Sequence, residues 1–318
     1  MFKLTQYDNK DKGLQLDKID LFIGASGFET RSIFQFEEFK DLIQSGIIIG
    51  FNRFKDLDVR KFNDSKFEKS GLTILQVNEE DKVKISLSSI SKKISDLLNS
   101  VENPNIFLDY SSMTRNWYSY ILYVIFNIDK RNKINLFLGY SHAEYVENSE
   151  LETSNRIVNP LFGYCNFGIP NKPTALVIGL GNEANKVFGL KEYFDAVPFI
   201  FHTDKSYNLA YYNDSKVILD EVLNQVAEKN VYEYPINDLI YSYFMLENLC
   251  TSLLQDNRVV LAPCGPKPFA LLSMLLSLKF DHSLEVWRIS AGKDIQPIDK
   301  KPTGLVTILN LKFIEQSL

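Results

Sequence analysis

An internal echo at a spacing of roughly 155 residues constrains this chain more than any single motif. In the first half, Ile19–Ile23 reads as a buried strand that runs into Gly24-Ala25-Ser26-Gly27 and then a helix over about Phe28–Ile43. In the second half, Ala175–Ile178 leads into Gly179-Leu180-Gly181 and a helix from Asn182. Further on, Asn105–Leu108 ends in Asp109-Tyr110-Ser111-Ser112-Met113-Thr114-Arg115, and Arg258–Leu261 ends in Ala262-Pro263-Cys264-Gly265-Pro266-Lys267-Pro268. A helix follows each, over Asn116–Phe126 and Phe269–Leu278. Apolar runs at Ile47–Phe51, Thr73–Val77, Ile134–Leu138, Val197–Phe201, Val231–Tyr234 and Leu284–Ile289 read as further strands. Helical spacing appears over Ile85–Leu98, near Ser215–Lys229 and over Asn237–Leu254. Continuous apolar strands alternating with helices indicate parallel sheets covered on both faces.

The expected fold is therefore α/β, with two tandem Rossmann-like parallel-sheet units that are pseudo-duplicated. The boundaries read as a first unit over 1–145, a linker over 146–173 and a second unit over 174–318. The linker is placed by a polar stretch rich in proline. Thr303–Phe313 alternates well enough for an added edge strand. One continuous doubly wound sheet, its halves alike only through shared α/β grammar, is the competing layout. Tyr and Phe number 16 and 23 and are scattered as core residues are, with Phe34, Phe36 and Phe39 read as helix packing.

Composition narrows the function classes. The 35 basic and 40 acidic residues leave a net charge of −5, which argues against general nucleic-acid binding. Three cysteines, Cys165, Cys250 and Cys264, are too few and scattered for a disulfide framework or a zinc site, so a reducing cytoplasm is expected. The histidines His142, His202 and His282 are not at metal spacing, and no metal is expected. The first residues lack the apolar core of a signal peptide, and no apolar run reaches membrane-spanning length.

Ligands of open α/β sheets bind outside the carboxyl ends of the strands, at loops that lead into helix N-termini. The candidate ligand-binding residues on such loops are Gly24, Ser26, Ser111, Ser112, Thr114, Arg115, Gly179, Gly181, Gly265 and Lys267. Arg115 and Lys267 recur at the first helical turn of both halves, where a cation adds a charge-assisted contact to a phosphate. Asp109 serves as a general base, a hydroxyl acceptor or a helix cap. Asp109, Ser111 and Arg115 are the suspects if the protein is an enzyme that hydrolyses or transfers a nucleotide group. Gly179-Leu180-Gly181-Asn182-Glu183-Ala184 also fits G-x-G-x-x-A, with Asp204 placed for a ribose, which suits a nicotinamide-dependent oxidoreductase. Cys264 reads as a nucleophile at a helix N-terminus or as a small packing residue. His142 reads as a pocket or surface residue, and Glu29 and Arg31 as ligand-site members or an exposed charged turn.

The turns D-Y-S-S-M-T-R and A-P-C-G-P-K-P, each paired with a glycine-containing first loop, resemble the CRISPR-associated Rossmann-fold ligand-sensing domains. Ser111, Ser112, Thr114 and Arg115 match that family's turn in the first half, and Gly265 and Lys267 in the second. Met113 and Pro266 depart from it. The resemblance implies a fused pseudo-dimer with two related half-sites, Arg115 and Lys267 serving one anionic ligand. It also implies a sensor of a nucleotide-like small molecule, with a role in antiviral defence. With the two halves filling the chain, such a sensor would need no other cofactor and would act through a protein effector partner. An interaction protein with vestigial ligand turns is the remaining reading.

Overall fold

The computed structural model describes residues 1–11, 13–77, 88–146, 157–166, 171–206, 208–290 and 297–314. The chain divides into two compact units, Met1–Glu144 with Gln296–Leu318, and Tyr145–Ile295. The first unit opens with β1 (Phe2–Asp8), β2 (Leu21–Ser26), α1 (Phe34–Phe39), β3 (Gly46–Phe51), α2 (Asp58–Lys69) and β4 (Thr73–Val77). It continues with α3 (Ser88–Ser100), β5 (Asn105–Asp109), α4 (Arg115–Asn127) and β6 (Asn135–Ala143). The second unit holds β7 (Ile157–Pro160), β8 (Thr174–Gly179), α5 (Ala184–Phe194), β9 (Val197–Thr203) and α6 (Leu209–Leu223). After these come β10 (Val231–Tyr234), α7 (Leu239–Leu253), β11 (Arg258–Pro263), α8 (Lys267–Lys279) and β12 (Leu284–Ser290). The chain then returns to the first unit as β13 (Pro302–Phe313).

Both units are Rossmann-like. The first sheet runs β1-β13-β6-β5-β2-β3-β4 and the second β10-β9-β8-β11-β12-β7. Within them β4-β3-β2-β5-β6 and β10-β9-β8-β11-β12 are parallel and ordered alike, which is the structural form of the sequence echo. Each sheet then adds antiparallel pairing beyond its last parallel strand, β13 on β6 and β7 on β12. Two sheets, not one, carry the alternating pattern.

Burial on both faces explains why these strands read as unbroken apolar runs. β2 and β3 are buried at every position. In the first sheet Phe22 pairs with Phe107 and Phe107 with Phe137, so their rings form a ladder across three strands, at 5.8 and 6.4 Å between centroids. Phe36, Phe39 and Phe67 cover that ladder from α1 and α2, as expected of Phe36 and Phe39, while Phe34 packs partly buried beside it. The pair α3 and α4 packs together as well. In the second unit α5 and α6 bury Val187, Leu190, Leu219 and Val222 against Ile178, Ile200 and Val260. Phe269 of α8 packs on Phe201 and Tyr234.

Several elements differ from the sequence expectation. The helix after β2 is a short α-turn between two 3-10 turns, Thr30–Ile33 and Lys40–Leu42. Helix α2 was not expected, because its sequence, DVRKFNDSKFEK, presents little apolar surface beyond Phe67. Of the helix expected over 85–98, Ile85 and Leu87 lie outside the described residues. Gly189 sits inside α5 without ending it. β7 forms within the stretch read as a linker and is held by β12, while residues 147–156 and 167–170 of that stretch lie outside the described residues.

The largest difference is β13. Expected as an edge strand of the second unit, it is inserted between β1 and β6 of the first, with Val306, Ile308, Leu309 and Leu311 buried. Alternation identified a strand but not its partner, since pairing is set by distant residues. A strand with both neighbours in place is a core element. Ile308→Ala is therefore expected to lower the unfolding free energy by about 2–5 kcal/mol, read by denaturant titration, whereas a loosely added edge would lose less than about 1 kcal/mol.

Candidate functional site

The order of each parallel sheet fixes where a site can lie. Connections run outward in opposite directions from β2 and β5, and likewise from β8 and β11, so the loops after these neighbouring strands face each other at the carboxyl edge. In the first unit they touch, since a methyl added to Gly27 would lie 3.7 Å from Ser112 Cβ.

The β5 loop is braced from within. Asp109 Oδ1 accepts from the Ser111 amide (2.9 Å), the Ser111 hydroxyl (2.5 Å) and Gln35 Nε2 (2.5 Å). Ser111 Oγ in turn accepts from Gln35 Nε2 and the Ser141 amide, both at 2.8 Å. Both residues are buried and hold the turn. The helix cap is Thr114, whose side chain accepts from the Trp117 amide, and not Asp109. Arg115 follows, half-buried, as the first residue of α4.

Around this turn lies a buried polar cluster that residue spacing did not reveal. Ser112 donates to Glu29 Oε2 at 3.2 Å, and Arg31 Nε meets the same oxygen at 2.8 Å. Arg31 is buried, not part of an exposed charged turn, and donates to Tyr140 Oη (3.2 Å) and the Ser141 carbonyl (3.1 Å). Burial opposes its charge, but Tyr140 and Glu29 outweigh that and hold its pKa above the ordinary value. Tyr110 stacks on Tyr140 and packs against Tyr118. The Tyr110 and Tyr118 hydroxyls are fully buried and make no hydrogen bond to the described protein. Burial raises the pKa of both phenols, and Arg115 partly offsets this at Tyr118.

Gly24 and Ser26 have other work. A side chain at Gly24 would meet the Phe22 ring at 2.7 Å. Ser26 donates to Asp64 (2.5 Å) and accepts from Arg60 (3.2 Å). Arg60 also reaches Asp64, Gln76 and the Phe51 carbonyl, which ties the ends of β2, β3 and β4 to α2. Asn63 donates to the carbonyls of Gly27 and Glu29 and to Ser32 Oγ. Asp299, ahead of β13, accepts from the Thr30 amide (2.6 Å) and hydroxyl (2.7 Å), capping the turn that Glu29 leaves uncapped.

The second unit seals the corresponding point with backbone. The Gly179 carbonyl accepts from the Cys264 and Gly265 amides at 2.9 and 2.8 Å, and the Leu180 amide donates to Phe201 at 2.7 Å. A methyl on Gly181 would stand 2.6 Å from the Cys264 carbonyl oxygen, and one on Gly265 2.1 Å from that of Leu180. These glycines let two loops pass each other. Lys267 begins α8, half-buried, between Pro266 and Pro268, neither of which has an N–H to offer. Glu183 pairs with Lys186, and Asp204 accepts from the Ser206 amide and hydroxyl in a local turn.

His142 is buried and not a surface residue, with Nε2 2.7 Å from Thr307 Oγ1. Burial, then Arg31, lowers its pKa to about 4. Among the described residues no group of His, Cys, Asp and Glu is arranged to hold a metal ion, and no helix is long and apolar enough to cross a membrane.

No family model matches this chain, and no curated protein does. One solved structure that aligns is the adenylation, ketoreductase and pseudo Asub multidomain structure of a keto acid-selecting NRPS module. It shares 12% identity over 81% of this chain and 27% of its own, with a TM-score of 0.21. The chain thus spans about a quarter of that structure, and so low a score carries no functional argument.

Two outcomes follow from this geometry. Gly265→Ala is expected to cost about 1–3 kcal/mol by overpacking, read as a lower midpoint in denaturant. His142 binds its proton less readily folded than unfolded, so between about pH 6.5 and 4 the unfolded state holds more protons. Its contribution to stability is complete above that window and is lost as the pH falls through it. His142→Asn is expected to reduce proton uptake on unfolding at pH 5 by up to about one proton, read from the pH dependence of the denaturation midpoint. The lowered pKa values of His202 and His282 leave the remaining slope with the same sign.

Proposed function

We propose that the protein binds a phosphorylated, nucleotide-derived ligand at the carboxyl edge of its first sheet, acting as a sensor or regulatory module that signals through a partner protein. One observation carries this reading: α4 begins with Arg115 at the switch point of the sheet, where the fully buried hydroxyls of Tyr110 and Tyr118 have no hydrogen-bond partner among the described residues. The first amides of a helix have no acceptor within it and favour an anion, and a cation at the first turn adds to that preference. A buried hydroxyl without a partner costs about 1–3 kcal/mol, which a bound polar group or ordered water would relieve.

Lys267 repeats the pattern in the second unit with fewer donors, because the flanking Pro266 and Pro268 have no N–H. An enzyme built on Asp109 and Ser111 is the weaker reading: the Ser111 hydroxyl already donates to Asp109 and accepts two hydrogen bonds. The role in antiviral defence rests on the resemblance of the turns alone.

The test is calorimetric titration with ATP, GTP, cyclic oligoadenylates and inorganic triphosphate, followed by chromatography of the recovered nucleotides. Binding without turnover is expected. Arg115→Ala should weaken it by about 10–100-fold, and Lys267→Ala by less. Turnover that depends on Asp109 would favour the enzyme, and no binding by any of these probes would reject the proposal.

A further inference from the structure

The first unit's switch point holds a carboxylate as well as a cation, and the two make different demands on a ligand. Glu29 Oε2 is shared by Ser112 Oγ and Arg31 Nε. Arg31 is enclosed, whereas Glu29 keeps 14% of its side chain exposed, so the acid can be reached from solvent while its counter-ion cannot. Ser112 and Arg115 are three residues apart, a span of at most about 11 Å. The acid and the first turn of α4 therefore fall within the length of one nucleotide.

We infer that this site selects a ribonucleotide, with the sugar hydroxyls donated to the Glu29–Ser112 pair and the phosphate placed at Arg115 and the first turn of α4. The inference rests on the phosphate-binding reading above and adds to it the sugar and its orientation. A phosphate beside Glu29 would meet a like charge in a partly desolvated setting, where repulsion is stronger than in water. A carboxylate only accepts hydrogen bonds, so the ligand group facing it must donate. In a nucleotide the donor group nearest the phosphate is the ribose diol, the group that acidic residues engage in dinucleotide sites. Arg31 supports this role from behind. Its bonds to Tyr140 and Ser141 fix the guanidinium, and the guanidinium fixes the carboxylate.

The experiment is a set of equilibrium titrations of the full chain with ATP, 2′-deoxy-ATP, 3′-deoxy-ATP, GTP and inorganic triphosphate. They are repeated on Glu29→Gln and Ser112→Ala after each variant's thermal transition has been checked. Wild-type protein should bind ATP at least tenfold more tightly than one of the deoxy analogues, with GTP within threefold of ATP. Glu29→Gln should bring ATP and that analogue within about twofold of each other and leave triphosphate binding equal or tighter. Equal binding of ATP and both analogues by the wild type overturns the inference while leaving the phosphate reading intact. Discrimination by base, or discrimination kept in Glu29→Gln, also overturns it. Should Glu29→Gln fail to fold, the wild-type series and Ser112→Ala decide. Absence of binding by ATP and triphosphate alike rejects both the phosphate reading and this one.

Discussion

Where the connections of a parallel sheet turn from one face to the other, two neighbouring strands end without a helix crossing between them, and their loops must either touch or leave a crevice. Both units contain this point, at β2/β5 and β8/β11, because both share one strand order. What fills it decides much of the rest. In the second unit the answer is backbone: glycines without side chains let the Gly179 and Gly265 loops pass within hydrogen-bonding distance. In the first unit side chains fill it, and they are polar.

That difference gives the two echoed halves different capacities. A backbone seal uses up amides that would otherwise face a ligand, and its glycine pattern is explained by loop contact without a pyrophosphate. The pattern Gly179-Leu180-Gly181 therefore lends no weight of its own to a nicotinamide cofactor, and Asp204 is held in a turn with Ser206. The first unit instead encloses Arg31, Asp109, Ser111 and Gln35, with Glu29 partly exposed against Arg31. Buried charge is retained only when it is paired, and removing one partner leaves the other uncompensated. The Arg31–Glu29 pair, with Tyr140 and Ser141 completing the arginine's bonds, satisfies that requirement beside the turn leading to Arg115.

The strands were legible because burial on both faces leaves continuous apolar runs, as in IDLFI, NIFL and RVVL. The helices α4 and α8 were legible because each follows such a run through a short turn, polar before α4 and rich in glycine and proline before α8. Helix α2 was not, since Arg60 and Asn63, two of its buried residues, are polar and give no apolar period. The place of β13 was not legible either, since its alternation shows that it is a strand and says nothing of which strands flank it. At the candidate site the cations at the helix starts stood out by recurrence. Arg31, Gln35, Arg60 and Asp299 did not, because each acts on residues distant in sequence. The sequence leaves Glu29 and Arg31 either as ligand-site members or as an exposed charged turn, and the burial of Arg31 removes the second reading for it.

The return of the chain through Asp299 ties the C-terminal strand to the site. Asp299 caps the Thr30 turn, the Arg31 amide donates to the Lys300 carbonyl, and the Glu144 amide donates to that of Lys301. Thr307 of β13 then holds His142, whose strand supplies Tyr140 and Ser141 to Arg31. The carboxylate at the switch point is thus positioned by a chain of contacts that begins in β13 and passes through β6. A strand that looks like an appendage in the sequence is, in the fold, a part of what aims Glu29. Loss of order in β13 would therefore reach Glu29 through Tyr140 and Ser141 and the Asp109–Ser111 brace through the Ser141 amide, leaving Gln35 of α1 as the anchor of that brace that does not pass through β6.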